Sequence, residues 1–329
     1  MQIKILKPGL LSTIQDLGRT QFLADAVPVS GAMDVLSARL ANLVLGNTEN
    51  AAVIEFTYHG AEFLAETDLL IALSGEGSIL YTEDQELPAD RPIFIPSGTR
   101  LFLKKNDGSF SYLAVAGGWK VPEVLGSKST YLQGGFGGFE GRRLREKDVL
   151  KNTDSLSAES NAILKSLKGS ASVSFPPWKA AKNDFLPLER KTIRVIPGRE
   201  FTWFTADTLL DLLSKTFTVS PRCNRMAYEL EGPPIIRLNT QELLSTVVTS
   251  GTIQATGDGK LMMLMADSQV TGGYPRILQV IAVDLPLCAQ LKPRDEIYFE
   301  ILGRKQAEKL YIEQELNIRQ LAATIRTKY

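Results

Sequence analysis

The chain has 329 residues and no net charge, because 37 lysine and arginine residues balance 37 aspartate and glutamate residues. It contains no basic block of the kind that binds nucleic acid, and its longest apolar runs are too short to cross a bilayer. Its two cysteines do not form a disulfide framework, and the strand-like N-terminus lacks the apolar segment of a signal peptide. We therefore expect a cytoplasmic protein of about two domains that binds neither nucleic acid nor membranes.

The single histidine limits the available chemistry. Because His59 is the only histidine, a Ser-His-Asp triad or a multi-histidine metal site would depend on it. It closes a predicted strand, a position typical of a surface residue, and only its titration near neutral pH favours a catalytic role. The sequence therefore predicts no metal site, and a chemistry based on carboxylates, amides, arginines and backbone groups.

The first half of the chain is predicted to contain short strands and one helix. Residues 3–6 alternate like a strand and run into a Pro-Gly turn, whereas residues 10–29 show no clear pattern. Apolar residues at positions 36, 40, 43 and 44 share one helical face. Further strands are predicted at residues 53–57, 69–73, 93–95, 100–103 and 111–115. This density of short strands favours a closed β-barrel.

The predicted helix is preceded by the sequence SGAMD at residues 30–34. Asp34 can cap the helix by accepting a backbone hydrogen bond, which contributes about 1 kcal/mol. Alternatively, the segment presents backbone amides at a helix start, where an anion would be stabilised. From the residues alone, the cap is the favoured interpretation.

A glycine-rich stretch, GGFGGFEGR, occupies residues 134–142. Five glycines in eight residues are incompatible with a regular helix or strand. The phosphate-binding pattern is absent, since no lysine follows the glycines. We predict that the two phenylalanines anchor this loop and that its amides and Arg142 face a site.

The second half of the chain restarts like the first. The sequence IRVIPG at residues 193–198 matches IKILKPG at residues 3–9. A second match relates LKPRDEI at residues 291–297 to LREKDVL at residues 144–150. Because the matches occur in the same order, we predict two related barrels.

Three further helices are predicted outside the barrels' strands. One lies near residues 162–167. The segment around it is rich in serine, lysine and proline, a composition that predicts a connection between two domains. Another covers residues 207–215. The last covers residues 305–326, has one apolar face, and is expected to pack on the second barrel.

A polar stretch follows a buried strand in the second half. Residues 261–265 are wholly apolar and predict that strand, and residues 266–276 continue as ADSQVTGGYPR. An ordinary turn is one explanation, because Gly-Gly and Tyr-Pro are common turn sequences. Asp267, a charged residue directly after an apolar strand, favours a functional site instead. For Arg276, a structural salt bridge and a ligand contact are equally compatible with the sequence.

These motifs resemble the allophanate-hydrolase-subunit-2 family, also called the biotin-dependent carboxyltransferase family. Its members include the C-type subunit of 5-oxoprolinase, to which the sequence is most similar, the antagonist of a sporulation-kinase inhibitor, and the carboxyltransferase region of urea carboxylase. The resemblance covers about residues 3–300. The matching motifs are SGAMD (30–34), GGFGGFEGR (134–142), NRM (224–226), GTIQ (251–254), AD (266–267) with Gln269, TGGYPR (271–276), DLP (284–286) and AQL (289–291).

The resemblance implies a fold and its domain bounds. The fold would be mainly β, with two cyclophilin-like β-barrels, a few short helices and a C-terminal helix. We accordingly predict a first barrel over residues 1–150, a linker over 151–190, a second barrel over 191–302 and a C-terminal helix over 303–329.

The resemblance also implies a function, as the C-type subunit of an ATP-dependent 5-oxoprolinase. Such a hydrolase converts 5-oxo-L-proline to L-glutamate together with a chain like its B-type subunit, and with its A-type subunit in the full enzyme. ATP would be shared with a partner subunit, and biotin would take part only if another chain carries it. Two alternatives stay open: carboxyl transfer from carboxybiotin to urea or a related amide, and a non-enzymatic module that binds a regulatory partner resembling a kinase inhibitor.

The matched motifs supply the candidate site residues. Asp267, Gln269 and Arg276 are predicted to be catalytic. Asp267 would serve as acid/base or amide-orienting group, and Gln269 would donate a hydrogen bond to a carbonyl. Arg142, Arg225 and Arg276 suit a carboxylate or phosphate. The predicted substrate-binding residues are Ser30, Asp34, Gly137, Gly138, Arg142, Asn224, Arg225, Gln254 and Tyr274.

Cys223 and Ala227 stand where the family usually has serine and glycine, and the sequence departs from the family pattern at four further positions. Asn224 stands where an aspartate is usual, and it keeps the shape but loses the charge and the use as a base. Val270 removes a hydroxyl where threonine is common. Lys147 and Arg294 replace the usual glycines of the two Leu-x-x-Gly-Asp turns. The changes at Asn224 and Val270 fit a non-enzymatic binding protein, because such a protein needs no base.

Overall fold

The computed structural model describes residues 1–169, 172–182, 185–186, 191–238 and 241–329. The strands are β1 (Gln2–Pro8), β2 (Leu11–Gln15), β3 (Val53–Thr57), β4 (Ala61–Ala65), β5 (Leu69–Gly75), β6 (Ser78–Tyr81), β7 (Glu86–Leu87), β8 (Ile93–Ile95), β9 (Arg100–Lys105), β10 (Phe110–Val115), β11 (Val149–Lys151), β12 (Thr192–Pro197), β13 (Phe217–Cys223), β14 (Ala227–Glu231), β15 (Thr246–Val247), β16 (Thr252–Ala255), β17 (Leu261–Leu264), β18 (Thr271–Gly272), β19 (Arg276–Val280) and β20 (Glu296–Ile301). The helices are α1 (Val35–Leu43), α2 (Ala158–Leu167), α3 (Ala206–Ser214), α4 (Leu285–Gln290) and α5 (Arg304–Lys328).

The chain divides into two compact units. The first comprises Met1–Arg19, Ser30–Lys182 and Asn317–Tyr329, and the second comprises Thr20–Val29 and Asn183–Leu316. The predicted domain bounds, including the linker over residues 151–190, stay a prediction. Within that linker, residues 170–171, 183–184 and 187–190 lie outside the described residues.

The first unit consists of two β-sheets around one core. One sheet has the order β11-β1-β4-β9-β6-β7 and the other β2-β3-β10-β5-β8. Side chains from both sheets form a single apolar cluster that includes the fully buried Trp119. Strand β4 alternates buried and half-buried residues, as a strand with one core face should. Strands β5 and β10 are buried almost throughout because α1 also packs against them, which explains why residues 69–73 form a continuous apolar run.

The second unit is a closed barrel with the strand order β12-β19-β16-β17-β14-β13-β20. A parallel pairing of β12 with β20 closes the ring, and the other strands pair antiparallel. Strands β15 and β18 form a separate two-stranded ribbon. The predicted fold class is confirmed in that the chain is mainly β, with a closed barrel, a few short helices and a C-terminal helix. The barrel predicted for the first half is formed by two separate sheets around one core rather than by one closed ring of strands.

All four predicted helices are present as α1, α2, α3 and α5. Helix α2 begins four residues earlier than predicted, at Ala158. The first part of α5 packs on the second unit, where Ala307 and Leu310 contact a small apolar cluster, whereas its residues from Asn317 onward belong to the first unit. The expectation that α5 packs on the second barrel therefore holds for its first part. No described helix combines the length and apolar character needed to span a membrane.

Two turns with the pattern Leu-x-x-x-Asp, at residues 144–148 and 291–295, have the same hydrogen bond in both units. In the first unit, the Arg145 N–H donates to Asp148 Oδ2 over 2.7 Å. In the second unit, the Lys292 N–H donates to Asp295 Oδ2 over 2.8 Å. The shared hydrogen bond supports the internal repeat that the sequence predicts.

Replacing Arg294 with glycine should stabilise the protein by about 0.5–1 kcal/mol. Arg294 and Lys147 precede the aspartates of these turns with φ of 77° and 73°. This conformation strains an L-residue but not glycine, which accounts for the glycine usual at both positions. Chemical denaturation of Arg294→Gly and Lys147→Gly would measure the gain. Arg294→Ala keeps the Cβ and should show none, and a loss of stability in both glycine variants would contradict the argument.

Candidate functional site

The polar stretch of the second unit begins with a buried ion pair. The turn after β17 brings Asp267, 6% exposed, against Arg225. Arg225 Nε donates to Asp267 Oδ2 over 2.8 Å, and Arg225 Nη2 donates to Asp267 Oδ1 over 3.0 Å. The Asp267 N–H also donates to the Arg225 carbonyl over 2.8 Å. Bidentate pairs of this kind are strong and directional, so Arg225 fixes the orientation of the Asp267 carboxylate.

A second bidentate pair closes the polar stretch. Arg276 Nε donates to Glu200 Oε2 over 2.8 Å, and Arg276 Nη2 donates to Glu200 Oε1 over 2.6 Å. Burial opposes ionisation of Glu200, but the hydrogen bonds from Arg276 outweigh it and hold the pKa of Glu200 below its ordinary value. The remaining Arg276 nitrogen, Nη1, donates to the Val247 carbonyl over 3.0 Å. Of the two explanations for Arg276, the structure shows the salt bridge, and its catalytic role stays a prediction.

Three other predicted residues lie in or beside the same stretch. Gln254 is 1% exposed, and its Nε2 donates to the Tyr274 carbonyl over 3.1 Å. The Tyr274 side chain is half exposed, and Gln269 is exposed. Gln254 therefore supports the backbone of the stretch, while the predicted ligand-binding role of Tyr274 and catalytic role of Gln269 stay predictions.

Asn224, which stands where the family has an aspartate, organises a turn. Its Oδ1 accepts a hydrogen bond from the Met226 N–H over 2.7 Å, as in an Asx turn. Aspartate and asparagine both provide this acceptor, so the substitution preserves the turn and removes a negative charge. Val270, another departure in this unit, is 7% exposed, so the missing hydroxyl would have been at a buried position.

A small pocket adjoins the Arg276 pair. Its volume is about 210 Å³. It is lined by Pro197, Gly198, Arg199, Val247, Val248, Thr249, Thr252, Arg276, Leu278 and Gln279. Two of its polar side chains are bonded to each other, since Thr252 Oγ1 donates to Gln279 Oε1 over 2.8 Å. Arg199 is exposed and, within the described part of the chain, forms no ion pair. Arg199 was not among the predicted site residues.

In the first unit, the SGAMD motif caps α1. The Asp34 side chain accepts a hydrogen bond from the Ser37 N–H over 2.9 Å, which confirms the capping interpretation. The preceding amides are also engaged, because the Met33 N–H donates to Glu55 Oε2 over 2.8 Å and the Asp34 N–H donates to Tyr112 Oη over 2.7 Å. These two amides are therefore committed to the interior of the unit.

A buried lysine faces the capping aspartate. Lys182 Nζ donates to Ser37 Oγ over 2.8 Å and to Glu76 Oε1 over 3.2 Å, and lies 3.8 Å from Asp34 Oδ2. Burial lowers the pKa of Lys182, but Asp34 and Glu76 raise it by more, so that the net change is upward. Lys182 was not among the predicted site residues, because the connecting segment in which it lies has no clear sequence pattern. Ser30, another predicted ligand-binding residue, is 4% exposed, and its hydroxyl has no hydrogen-bond partner among the described residues.

The glycine-rich loop packs tightly on neighbouring backbone. A Cβ on Gly137 would lie 2.0 Å from the Ser129 carbonyl oxygen, and one on Gly138 would lie 1.9 Å from Thr130 Oγ1. The backbone amides of residues 135, 136, 141 and 142 donate to carbonyl oxygens within residues 131–139. The glycines thus allow close packing, and their predicted role in substrate binding stays a prediction.

Arg142 is held in a third bidentate pair. Its Nη1 and Nη2 donate to the two oxygens of Asp148 over 2.7 and 3.0 Å, and its guanidinium lies 5.0 Å from the centre of the Phe139 ring. Burial raises the pKa of Asp148, but the Arg142 hydrogen bonds bring it below its ordinary value. Each of the three arginines predicted to bind a carboxylate or phosphate therefore pairs with an acidic residue of its own unit.

Comparison with known proteins gives consistent matches. A family model for the carboxyltransferase domain, subdomain A and B, matches residues 25–301. The chain is 34% identical to the C-type subunit of 5-oxoprolinase from Escherichia coli K12, over 95% of this chain and 97% of that protein. It is 31% identical to the same subunit from Haemophilus influenzae, over 99% of both chains. The crystal structure of Kluyveromyces lactis urea carboxylase superposes with a TM-score of 0.86 at 29% identity, over 97% of this chain and 29% of that one.

Proposed function

This chain belongs to the carboxyltransferase domain family, subdomains A and B, and on that premise we propose that it is the C-type subunit of a 5-oxoprolinase. In this role it is part of a hydrolase that converts 5-oxo-L-proline to L-glutamate. The observation that carries the proposal is the extent of the match. The chain covers 97% and 99% of two proteins that bear the name of this 5-oxoprolinase subunit, but only 29% of the urea carboxylase chain that it resembles.

Asp267 is the residue we assign to the chemistry of the lactam amide. Opening this ring requires a group that orients or protonates the amide, and donors that polarise its carbonyl. Arg225 uses one lone pair on each Asp267 oxygen, which leaves further acceptor capacity on both. Gln269, exposed two residues later, provides an amide donor for the carbonyl. In this proposal, the hydrogen bonds from Arg225 hold the catalytic carboxylate of Asp267 in one orientation.

ATP is assigned to a partner subunit in this proposal. The glycine-rich loop is the segment of this chain that most resembles a phosphate cradle. The amides of Gly135, Phe136, Gly141 and Arg142 already bond to nearby carbonyl oxygens, and Arg142 pairs with Asp148. These four amides and the Arg142 guanidinium are therefore engaged within the chain, and we derive no step through ATP on this chain.

The partners follow from the same proposal. A protein that is one subunit of a multi-subunit enzyme implies companion chains. We propose a chain like the B-type subunit of 5-oxoprolinase as the direct partner, with the A-type subunit completing the enzyme. Biotin would enter only on another chain. Carboxyl transfer to urea or a related amide is the alternative that the urea carboxylase structure favours.

A substrate comparison distinguishes the two reactions. The chain, assembled with its A-type and B-type partners, would be given 5-oxo-L-proline or urea, each with ATP and with or without avidin. We expect glutamate from 5-oxo-L-proline at a rate that avidin leaves unchanged, because no biotin takes part. Urea-dependent turnover that avidin blocks would contradict the proposal and establish the carboxyl-transfer alternative.

A further inference from the structure

In each unit the first strand runs into a Pro-Gly turn, and the exposed residue after the glycine differs between the two units. Strand β1 runs into the Pro-Gly turn at residues 8–9, and β12 runs into the Pro-Gly turn at residues 197–198. The extra residue of β1 is accommodated by an irregularity in its pairing with β4, so the two turns correspond. The glycine is followed by Leu10 in the first unit and by Arg199 in the second. Both side chains are exposed. The second unit therefore carries a cation where the first carries an apolar side chain.

Arg199 lies at the mouth of the pocket beside Arg276. One wall of this pocket is apolar and includes the buried Val248 and Leu278. Thr249 and Gln279 also line the pocket, and the Gln279 amide is hydrogen-bonded to Thr252 and to the Ser250 carbonyl. A volume of about 210 Å³ accommodates a compact molecule rather than an extended one. The pocket thus combines an apolar surface with a charged mouth.

Among the described residues at this pocket, two arginines, Arg199 and Arg276, face one carboxylate, that of Glu200, on which both act electrostatically. The Arg276 guanidinium is neutralised by Glu200, whose side chain is 5% exposed. Arg199 forms no ion pair with any residue in the described ranges. An arginine guanidinium binds a carboxylate through two parallel hydrogen bonds. The pocket is therefore suited to a molecule with a single negative charge.

The turn that carries Arg199 is firmly placed. The Gly198 N–H donates to the Ile277 carbonyl over 2.9 Å, and the Glu200 N–H donates to the Arg276 carbonyl over 3.2 Å. The Glu200 side chain accepts a hydrogen bond from the Arg276 N–H over 3.0 Å. These bonds fix the backbone on both sides of Arg199 against β19. A preorganised backbone reduces the ordering cost of binding.

We propose that this pocket binds a small monocarboxylate, with Arg199 holding the carboxylate and the apolar wall contacting a compact ring or chain. The identity of the ligand rests on the proposed function, which supplies 5-oxo-L-proline, a five-membered lactam with one carboxylate. In this arrangement Arg199 binds the carboxylate of the ligand, and Asp267 and Gln269, which are not among the residues that line the pocket, take no part in holding it there. The Arg276–Glu200 pair positions the turn rather than binding the substrate itself.

Equilibrium dialysis with labelled 5-oxo-L-proline tests the pocket directly. The assembled complex would be used without ATP, so that binding is measured apart from turnover. Arg199→Leu, which introduces the residue found at the corresponding position of the first unit, should weaken binding at least about tenfold, because a charge-assisted pair is lost. The exposed Arg319 lies on α5 outside the pocket, and Arg319→Leu should bind normally. Unlabelled 2-pyrrolidinone, which lacks the carboxylate, should compete poorly with the labelled ligand.

The outcomes separate the pocket from the proposed function. Wild-type affinity in Arg199→Leu would overturn the pocket assignment while leaving the oxoprolinase function in place, and so would an absence of binding by the wild-type complex. Loss of complex assembly by Arg199→Leu on size-exclusion chromatography would also overturn the pocket assignment. Arg199 would then be pairing with an acidic residue of a partner chain. If the wild type forms no glutamate but binds the probe in an Arg199-dependent way, the function fails and the carboxylate site stands.

Discussion

Replacing Asp267 with alanine is expected to abolish glutamate formation and to lower the free energy of unfolding by about 3–5 kcal/mol. The two effects have different origins. Turnover is lost because the proposed acid/base or amide-orienting group is gone. Stability is lost because Arg225, whose side chain is 7% exposed, stays buried and charged but loses its bidentate hydrogen bonds to Asp267. Glutamate formation by the assembled enzyme and chemical denaturation of the chain measure the two effects.

A double variant separates the two contributions. Asp267→Leu combined with Arg225→Met removes both charges and keeps apolar volume, and such replacements of buried ion pairs are often neutral or stabilising. We expect this variant to recover most of the lost stability while remaining inactive. Turnover close to wild type in the double variant would contradict the assignment of Asp267. Unchanged stability in the alanine variant would contradict the described ion pair.

Replacing Gly137 with alanine is expected to destabilise the protein by about 3 kcal/mol or more, because overpacking and backbone strain add. Gly137 has φ of 74°, and its Cβ would meet the Ser129 carbonyl oxygen at 2.0 Å. Ser129 cannot easily move away, since its hydroxyl donates to the buried Asp16 over 2.6 Å. Thermal or chemical denaturation would measure the loss.

Gly135 provides the matched control for this prediction. It also has positive φ, 65°, but its Cβ would meet nothing within 4 Å. Gly135→Ala should therefore cost only the backbone strain, about 1 kcal/mol. Equal losses for the two variants would show that close packing is not the reason for Gly137. The difference between them measures the packing contribution separately from the strain.

Part of the fold could be predicted because local patterns determine it. The helical spacing of Leu36 and Leu40 places α1 correctly, and β3 has the predicted bounds. Strand β2 was missed because it carries buried polar residues, so its sequence lacks an apolar pattern. Gln15, for example, is fully buried and its Nε2 donates to the Thr130 carbonyl over 3.3 Å. That hydrogen bond spans 115 residues, and such tertiary partners are not visible in a sequence pattern.

The sequence motifs of the candidate site could be predicted, but the ion-pair partners of its charged residues could not. The polar stretch was recognised from Asp267 and Arg276, yet each is paired with a residue far along the chain, at a separation of 42 residues for Arg225 and 76 for Glu200. Charge pairs over such distances follow from the barrel topology and leave no local signal. Arg199 had one available signal, its position after the repeated Pro-Gly turn. Comparing the two repeats residue by residue would have identified it.

Reconstitution of ATP-dependent glutamate release from 5-oxo-L-proline tests the assigned function most directly. The chain would be mixed with its A-type and B-type partners, and each of the three chains would be omitted in turn. We expect glutamate release from the complete mixture and none when this chain is left out. Release that proceeds at the full rate without this chain, or none from a complete mixture that has assembled, would contradict it.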